Sequence, residues 1–424
     1  MATPNFKRTK LACYTAYFTM SSVFCLPPLL FVTFQNAFGI SYTLLGTLIL
    51  INFCTQLTVD LFFSAFAKKI DAKWIVRLMP LITSLGLGVY ALIPSLFPNF
   101  AYLGLVIGTI IFSISAGLSE VLLSPTIASI PSDNPQRDMS ALHSLYAFGV
   151  FFVVTVSTVF LKIFTAKNWA WLVGLFALLP IIASVMFLTS PMPEMNGSQT
   201  DSTVKKSKND LFVLVLCIAC IFFGSCAENA MSNWVSSFME NALKIDKAVG
   251  DIVGMATFAL LLGFTRILYS KYGKNITNFL LFGMIGATVC YLTVGLVQNT
   301  VVCFIACVLT GVFTAMLWPG TLIMMEEKIP SVGVASYALM AAGGDLGASI
   351  APQLLGIVTD SVASSSFGAN IGLSLNMTAE QVGLKAGMLT TAIFPLLGAI
   401  VVIIIMKKFS QKPQSDQTKL LNDN

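Results

Sequence analysis

The feature that most constrains this chain is a succession of apolar stretches, each about as long as a bilayer is thick. They lie near 11–34, 44–66, 78–95, 100–130, 139–163 and 169–189, and again near 211–239, 248–268, 277–297, 301–325, 335–359 and 386–406. A helix needs about 20 apolar residues to cross the hydrocarbon layer, so each stretch is read as one span. A soluble core cannot absorb them. Of 424 residues, 56% are hydrophobic and only 10% are charged, where a soluble domain carries about 25% charge. The expected fold is therefore an all-α membrane protein of twelve transmembrane helices in two pseudo-symmetric six-helix bundles. Nucleic-acid-binding, disordered, collagenous and disulfide-stapled secreted classes are excluded.

Between the two sets of six runs a polar, turn-rich stretch with Pro191, Pro193, Asp201 and Lys205-Lys206-Ser207-Lys208. The expected organisation is a first bundle over 1–189, a linker over 190–210, a second bundle over 211–406 and a polar tail over 407–424. Nineteen of the 24 Lys and Arg fall on the side that holds both ends and the linker, which makes that side cytoplasmic by the positive-inside rule. A multi-pass protein of the plasma membrane is expected, and a single copy suffices to close each bundle. Leu11 to Phe34 has no small-residue cleavage site after it, so it reads as a span rather than a removable signal. The nine cysteines lie inside apolar runs and read as packing residues.

Charges inside the spans are costly and ask for a reason. Glu120 shares one helical face with Ser113, Gly117 and Ser124, and it stands ten residues from Pro131, about 15 Å along a helix. A carboxyl at that depth can take up and release a proton. Glu228 lies beside Ser225, Asn229, Ser232 and Ser236 and makes a second candidate for proton coupling. Candidate solute ligands are Asn52, Gln56, Asn229, Asn233, Trp234, Tyr146 and Trp318. Amides hydrogen-bond hydroxyls, and an indole face accepts the C–H groups of a sugar ring. Asp60, Lys68, Arg137, Arg266 and Asp345 are candidate gate residues, the two arginines near span ends. Pro27-Pro28 is read as a break in the first span. Gly343-Gly344-Asp345-Leu346-Gly347 lacks the strand and the Lys-Ser/Thr of a phosphate loop and reads as close helix packing.

No Ser/His/Asp, zinc, Walker or haem arrangement is present, so no enzyme activity and no cofactor are expected. Movement of a small solute is the function that fits, with protons as the coupling ion and the lipid bilayer as surroundings. Export of amphipathic compounds and solute sensing without transport are the alternatives.

The halves repeat at an offset of about 195 residues, where Leu123-Ser124-Pro125 answers Leu317-Trp318-Pro319. Ala67-Lys68-Lys69-Ile70-Asp71-Ala72-Lys73 and Tyr269-Ser270-Lys271-Tyr272-Gly273-Lys274 resemble degenerate copies of the loop signature of the major facilitator superfamily, over essentially all of 1–406. Glu120-Val121-Leu122-Leu123-Ser124-Pro125, Phe34-Gln35-Asn36-Ala37-Phe38 and Gly224 to Glu228 are similar to segments of its fucose:proton symporter branch. The resemblance implies alternating access, a proton-linked Glu120, a cavity acid at Glu228 and a monosaccharide as solute. The branch's first-span aspartate corresponds to Pro28 here.

Overall fold

A computed structural model describes residues 5–66, 72–133, 135–193, 208–329 and 334–408. Every regular element among the described residues is helical. Apolar runs in a bilayer leave this outcome, because backbone N–H and C=O groups there have no water to turn to and must pair within their own segment.

The first six spans are α1 (Lys7–Phe38), α2 (Tyr42–Phe66), α3 (Ala72–Leu96), α4 (Ala101–Ala128), α5 (Pro135–Phe164) and α6 (Trp169–Leu188). The seventh is α7 (Lys208–Ser237), which runs on as a π-helical turn, Phe238–Ala242. The eighth is assembled from α8 (Lys247–Val249), a π-helical segment Gly250–Ala256 and α9 (Thr257–Tyr272). Then come α10 (Ile276–Leu296) and a tenth span split into α11 (Thr300–Thr314) and α12 (Pro319–Lys328). α13 (Val334–Ala363) is followed by the short α14 (Ser366–Leu375) and a last span built from α15 (Ala379–Thr391) and α16 (Ile393–Lys408). Among the described residues eleven helical spans are long and apolar enough to cross a membrane, and the twelfth, α5, has a shorter apolar stretch, Phe148–Phe164.

Local chemistry sets the boundaries. α1 ends at Gly39, whose φ of 65° suits a residue without a side chain and lets its N–H cap the carbonyl of Gln35. α15 starts with a reciprocal capping box between Thr378 and Gln381. α1 does not break at Pro27-Pro28. It stays helical, and the missing N–H groups instead free the carbonyls of Val23 and Phe24, which line a small cavity with the two prolines. The two Leu-x-Pro sites also part company, since α4 passes through Pro125 unbroken while the tenth span opens into a turn before Pro319.

The start of α1 and the end of α6 share one face, where the Thr9 hydroxyl donates to the Pro191 carbonyl at 2.6 Å. The end of α16 joins the start of α7, with the Lys408 ammonium 4.1 Å from the Phe212 ring centre. We call this the terminal face and its opposite the far face. Packing is closest through glycine. A Cβ on Gly343 would strike Ile218, one on Gly344 the Trp318 ring, and one on Gly347 the backbone of Phe222. This is the close helix approach that the small-residue run foretells.

Candidate functional site: a central chamber and a far-face latch

Two polar regions stand out, and both lie where α1–α6 meet the later helices.

The far-face region is a closed latch. Asp360, near the end of α13, reaches across to the start of α2, where its carboxylate accepts the N–H of Tyr42 at 3.2 Å and of Thr43 at 2.6 Å. An anion at a helix N-terminus meets unpaired N–H donors and the positive end of the helix dipole. Beside it the Tyr42 hydroxyl donates to Glu380 at 2.7 Å, and the Gln35 amide donates to the same oxygen at 3.2 Å. The Asn241 amide donates to the Tyr42 hydroxyl at 2.7 Å and to the Gln35 carbonyl at 3.2 Å. Trp234 lies beneath. It is fully buried, its indole N–H donates to the Pro352 carbonyl at 3.0 Å, and its ring sits 5.3 Å from Phe31 and 5.6 Å from Tyr42.

A second clasp lies on the same side of the chamber. Asp251, in the π-helical segment, is 1% exposed and accepts the hydroxyl of Ser236, while the Thr158 hydroxyl of α5 approaches its other oxygen at 3.4 Å. Lys247 stands 3.4 Å from Asp251 and 3.6 Å from Glu240. The carboxylates of the latch are thus met by donors.

The central chamber differs. Glu120 is exposed, yet it does not look at lipid. The exposed apolar residues of α4, namely Leu103, Ile107 and Ile110, cluster on one face, and Glu120 projects about 100° away from it at 3.6 residues per turn. α2 packs against this part of α4, where a Cβ on Gly117, one turn before Glu120, would lie 3.1 Å from Val59 and 3.2 Å from Gln56. Tyr146 makes edge contacts with Tyr17 at 6.3 Å and with Phe24 at 5.9 Å. Asp345 is 6% exposed, and one oxygen of Asp60 is buried with no hydrogen-bond partner.

Across the chamber Glu228 pairs with Arg266, whose guanidinium lies 3.4 and 3.5 Å from the two carboxylate oxygens. The Arg266 Nε–H donates to the Ala315 carbonyl at 2.8 Å, one of the groups freed where the tenth span opens. The expected gate residue and the expected proton carrier are therefore partners in one ion pair. Their side chains remain 40% and 21% exposed.

The expected solute ligands divide among these regions. Asn52 and Gln56 point at α4: the Gln56 amide donates to Asn52 at 2.8 Å, and Ser113 donates to the same oxygen at 2.7 Å. Asn52 and Asn233 line the small cavity beside Pro27-Pro28, which has room for about one water molecule. Asn229 donates to Ser225 on its own helix at 3.1 Å, and Asn233 donates to the Asn229 carbonyl at 2.8 Å. Tyr146 and Trp318 are half-buried. Lys68 lies outside the described residues, as does the side chain of Arg137. Sequence reasoning missed Asp251, Asp360 and Glu380. The signal available was a carboxylate just inside or beyond a span end, which the expected boundary at residue 386 hid for Glu380.

Eleven helical spans long and apolar enough to cross a membrane, a twelfth with a shorter apolar stretch, and polar contacts between α1–α6 and the later helices define, among the described residues, a multi-pass membrane protein. Residues 12–352 match the Major Facilitator Superfamily, and the chain belongs to that family. No curated protein matches it. Its fold is similar to that of a bacterial homolog of the human lysosomal transporter Spinster in an inward-facing, occupied conformation, with a TM-score of 0.74 and 14% identity over 97% of this chain and 100% of that one. The nucleoside transporter NupG gives a TM-score of 0.67 and 14% identity over 93% and 99%. The inward-open xylose transporter XylE from E. coli gives 0.69 and 12% over 96% and 97%. These likenesses establish the fold.

Proposed function

We propose that the chain moves a small polar solute across a membrane by alternating access, in exchange with or together with protons carried by Glu120. The observation that carries this reading is the position of Glu120, an exposed carboxyl on a face of α4 turned away from its exposed apolar residues, in a molecule whose hydrogen bonds between α1–α6 and the later helices gather at the far face. A polar interior fastened at one end is one half of an alternating-access cycle. Breaking the latch while closing the terminal face supplies the other half.

In this reading 1–189 and 211–406 are the rocking units, and 190–210 joins them on the cytoplasmic side of the plasma membrane. One copy is the working unit. Lys68 and Arg137 belong to the terminal-face gate. Glu228 acts as the counter-charge of Arg266, and Tyr146, Trp318 and Asn229 meet the solute. The branch likeness around Glu120 and the sugar and nucleoside carriers of the same fold favour a small hydroxylated solute taken up with protons. Export of an amphipathic compound is the second reading, which the aromatic wall of Tyr17, Phe24 and Tyr146 favours.

The test uses proteoliposomes holding a trapped pH dye and a panel of monosaccharides, amino acids and nucleosides. The expected result is a solute-dependent change of lumenal pH that Glu120→Gln abolishes. Equal proton movement in both proteins removes Glu120 from coupling, and no solute movement at all removes transport.

A further inference from the structure

The lipid-facing wall of the first six helices is not smooth. α2 and α3 each pack along α4 and leave a gap between themselves. Ile114 and Leu118 of α4 form its floor, with Thr58, Val59 and Phe62 of α2 and Ile75 of α3 as walls. The gap encloses about 460 Å³, inside the roughly 300–1,000 Å³ of small-molecule sites. Its cause is local. Gly117 lets α2 come up against α4, where a Cβ would lie 3.1 Å from Val59. Ser115 fastens α3 to α4 through a 2.7 Å hydrogen bond with Thr83. At 3.6 residues per turn these two contacts sit about 160° apart around α4, and Ile114 and Leu118 lie in the arc between them.

Among the described residues no ionisable side chain lines the gap, and the Thr58 hydroxyl donates to the Cys54 carbonyl of its own helix at 2.7 Å. A polar solute finds nothing to bind there, and an apolar cavity stays dry. The surroundings supply the occupant. Leu103, Ile107 and Ile110, all exposed, share one helical face of α4 with Ile114 and Leu118. The gap is therefore a dent in a surface turned to acyl chains. Helices in lipid are held by van der Waals packing without a hydrophobic drive, so an unfilled dent forfeits contacts along its lining. Its depth is marked as well. Trp74, the neighbour of Ile75, is 54% exposed, and the Arg77 guanidinium lies 5.1 Å from its ring centre. Tryptophan and arginine at a span end sit at the level of the lipid headgroups. From Phe62 to Thr55 the gap reaches about 10 Å deeper, at 1.5 Å per residue.

We propose that the gap between α2 and α3 is a binding site for one acyl chain of a phospholipid in the terminal-side leaflet. The lipid is a partner of the fold and not its cargo, so the inference stands apart from the transport reading. α2 gives it a consequence. The far end of this helix is held by Asp360 at Tyr42 and Thr43. A seated chain braces the other half of the same helix against α3.

The experiment uses the full chain purified in dodecyl maltoside, with phosphatidylcholine carrying a mid-chain diazirine as the probe. After illumination the adducts are mapped by peptide mass spectrometry. The expected pattern is adducts concentrated on 55–62 and 114–118 and sparse on Leu175 and Ile182, which α6 exposes on its own surface. A roughly tenfold excess of unlabelled phosphatidylcholine should lower the adducts in the gap about tenfold by mass action. Ile114→Trp, whose indole takes up the space, should lower adducts on 55–62 about tenfold and leave those on α6 unchanged. The mapping and the competition need only the wild-type protein, so a variant that fails to fold does not decide the matter. Equal labelling of the gap and of α6, labelling that unlabelled lipid does not reduce, or unaltered labelling of a folded Ile114→Trp protein overturns the proposal. An unlabelled gap in a protein that sediments as a dimer assigns the gap to a second copy and overturns it as well.

Discussion

The latch and the chamber are built from the same residue types and are treated oppositely by the fold. At the far face Asp360, Glu380 and Asp251 are each met by donors from neighbouring helices. In the middle of the molecule Asp60, Glu120 and Asp345 are left without them. A satisfied carboxylate between helices is a fastener, because removing either partner strands the other. An unsatisfied one holds no helix to its neighbour. The comparison separates acids that fasten helices to one another from acids that do not.

Removing the apolar prop of the latch breaks the contrast hardest. Trp234→Ala deletes a fully buried indole that contacts Phe31 and Tyr42 and bonds Pro352. It should cost about 3–5 kcal/mol, read as a fall in melting temperature of the purified protein. A loss under about 1 kcal/mol would mean that the latch is not packed as described.

Next comes the double change Asp360→Asn with Glu380→Gln, which keeps shape and removes charge. A carboxylate at a helix N-terminus and its charged hydrogen bonds are worth about 2 kcal/mol together, or roughly thirtyfold in the balance between closed and open far face. Spin labels at Asn99 and Gln298, on exposed far-face loops of the two halves, should show a longer distance in the double variant. Unchanged distances would demote the network to decoration.

Lys385→Met sharpens the comparison as a control. This buried lysine donates to the Val294 and Val297 carbonyls at 3.0 and 2.7 Å, closing the end of α10 within one half of the molecule. Its loss should cost about 1–3 kcal/mol of stability and leave the spin-label distance unchanged. Movement of the labels would show that the two halves are not independent bodies.

The smallest effect is expected in the chamber. Glu120→Gln removes a charge that has no partner among the described residues, so stability, read from the melting temperature, should stay within about 1 kcal/mol of wild type or rise. A fall like that of the latch variants would reveal a hidden partner and cancel the contrast.

The twelve spans and the all-helical fold were legible because apolar length and the absence of water in the bilayer leave the backbone one way to pair. Helical spacing also marked Glu120 on a polar face. It did not say what that face meets. Asn52 and Gln56 share the same kind of polar stripe, and their stripe is buried against Ser113 of α4. Trp234 reads as an open platform for a ring, and in this conformation its ring is enclosed and its N–H is taken. Glu228 and Arg266 are 38 residues apart on different helices, so no local pattern announces their pairing. Asp360 and Glu380 escaped because span limits drawn from hydropathy stop short of residues that are polar yet helical. Partner choice between helices is a three-dimensional fact, and a one-dimensional period cannot carry it.

Thiol accessibility at Ser124, one turn from Glu120 on the chamber stripe, tests the central claim most directly. In a protein whose exposed Cys54 is replaced by serine, the other native cysteines are buried, and Ser124→Cys reports the chamber alone. In oriented vesicles a membrane-impermeant maleimide should label position 124 from the terminal face only, and the Asp360→Asn, Glu380→Gln background should open it to the far face. Labelling from neither face, or identical labelling whether the latch is intact or not, would contradict a gated interior.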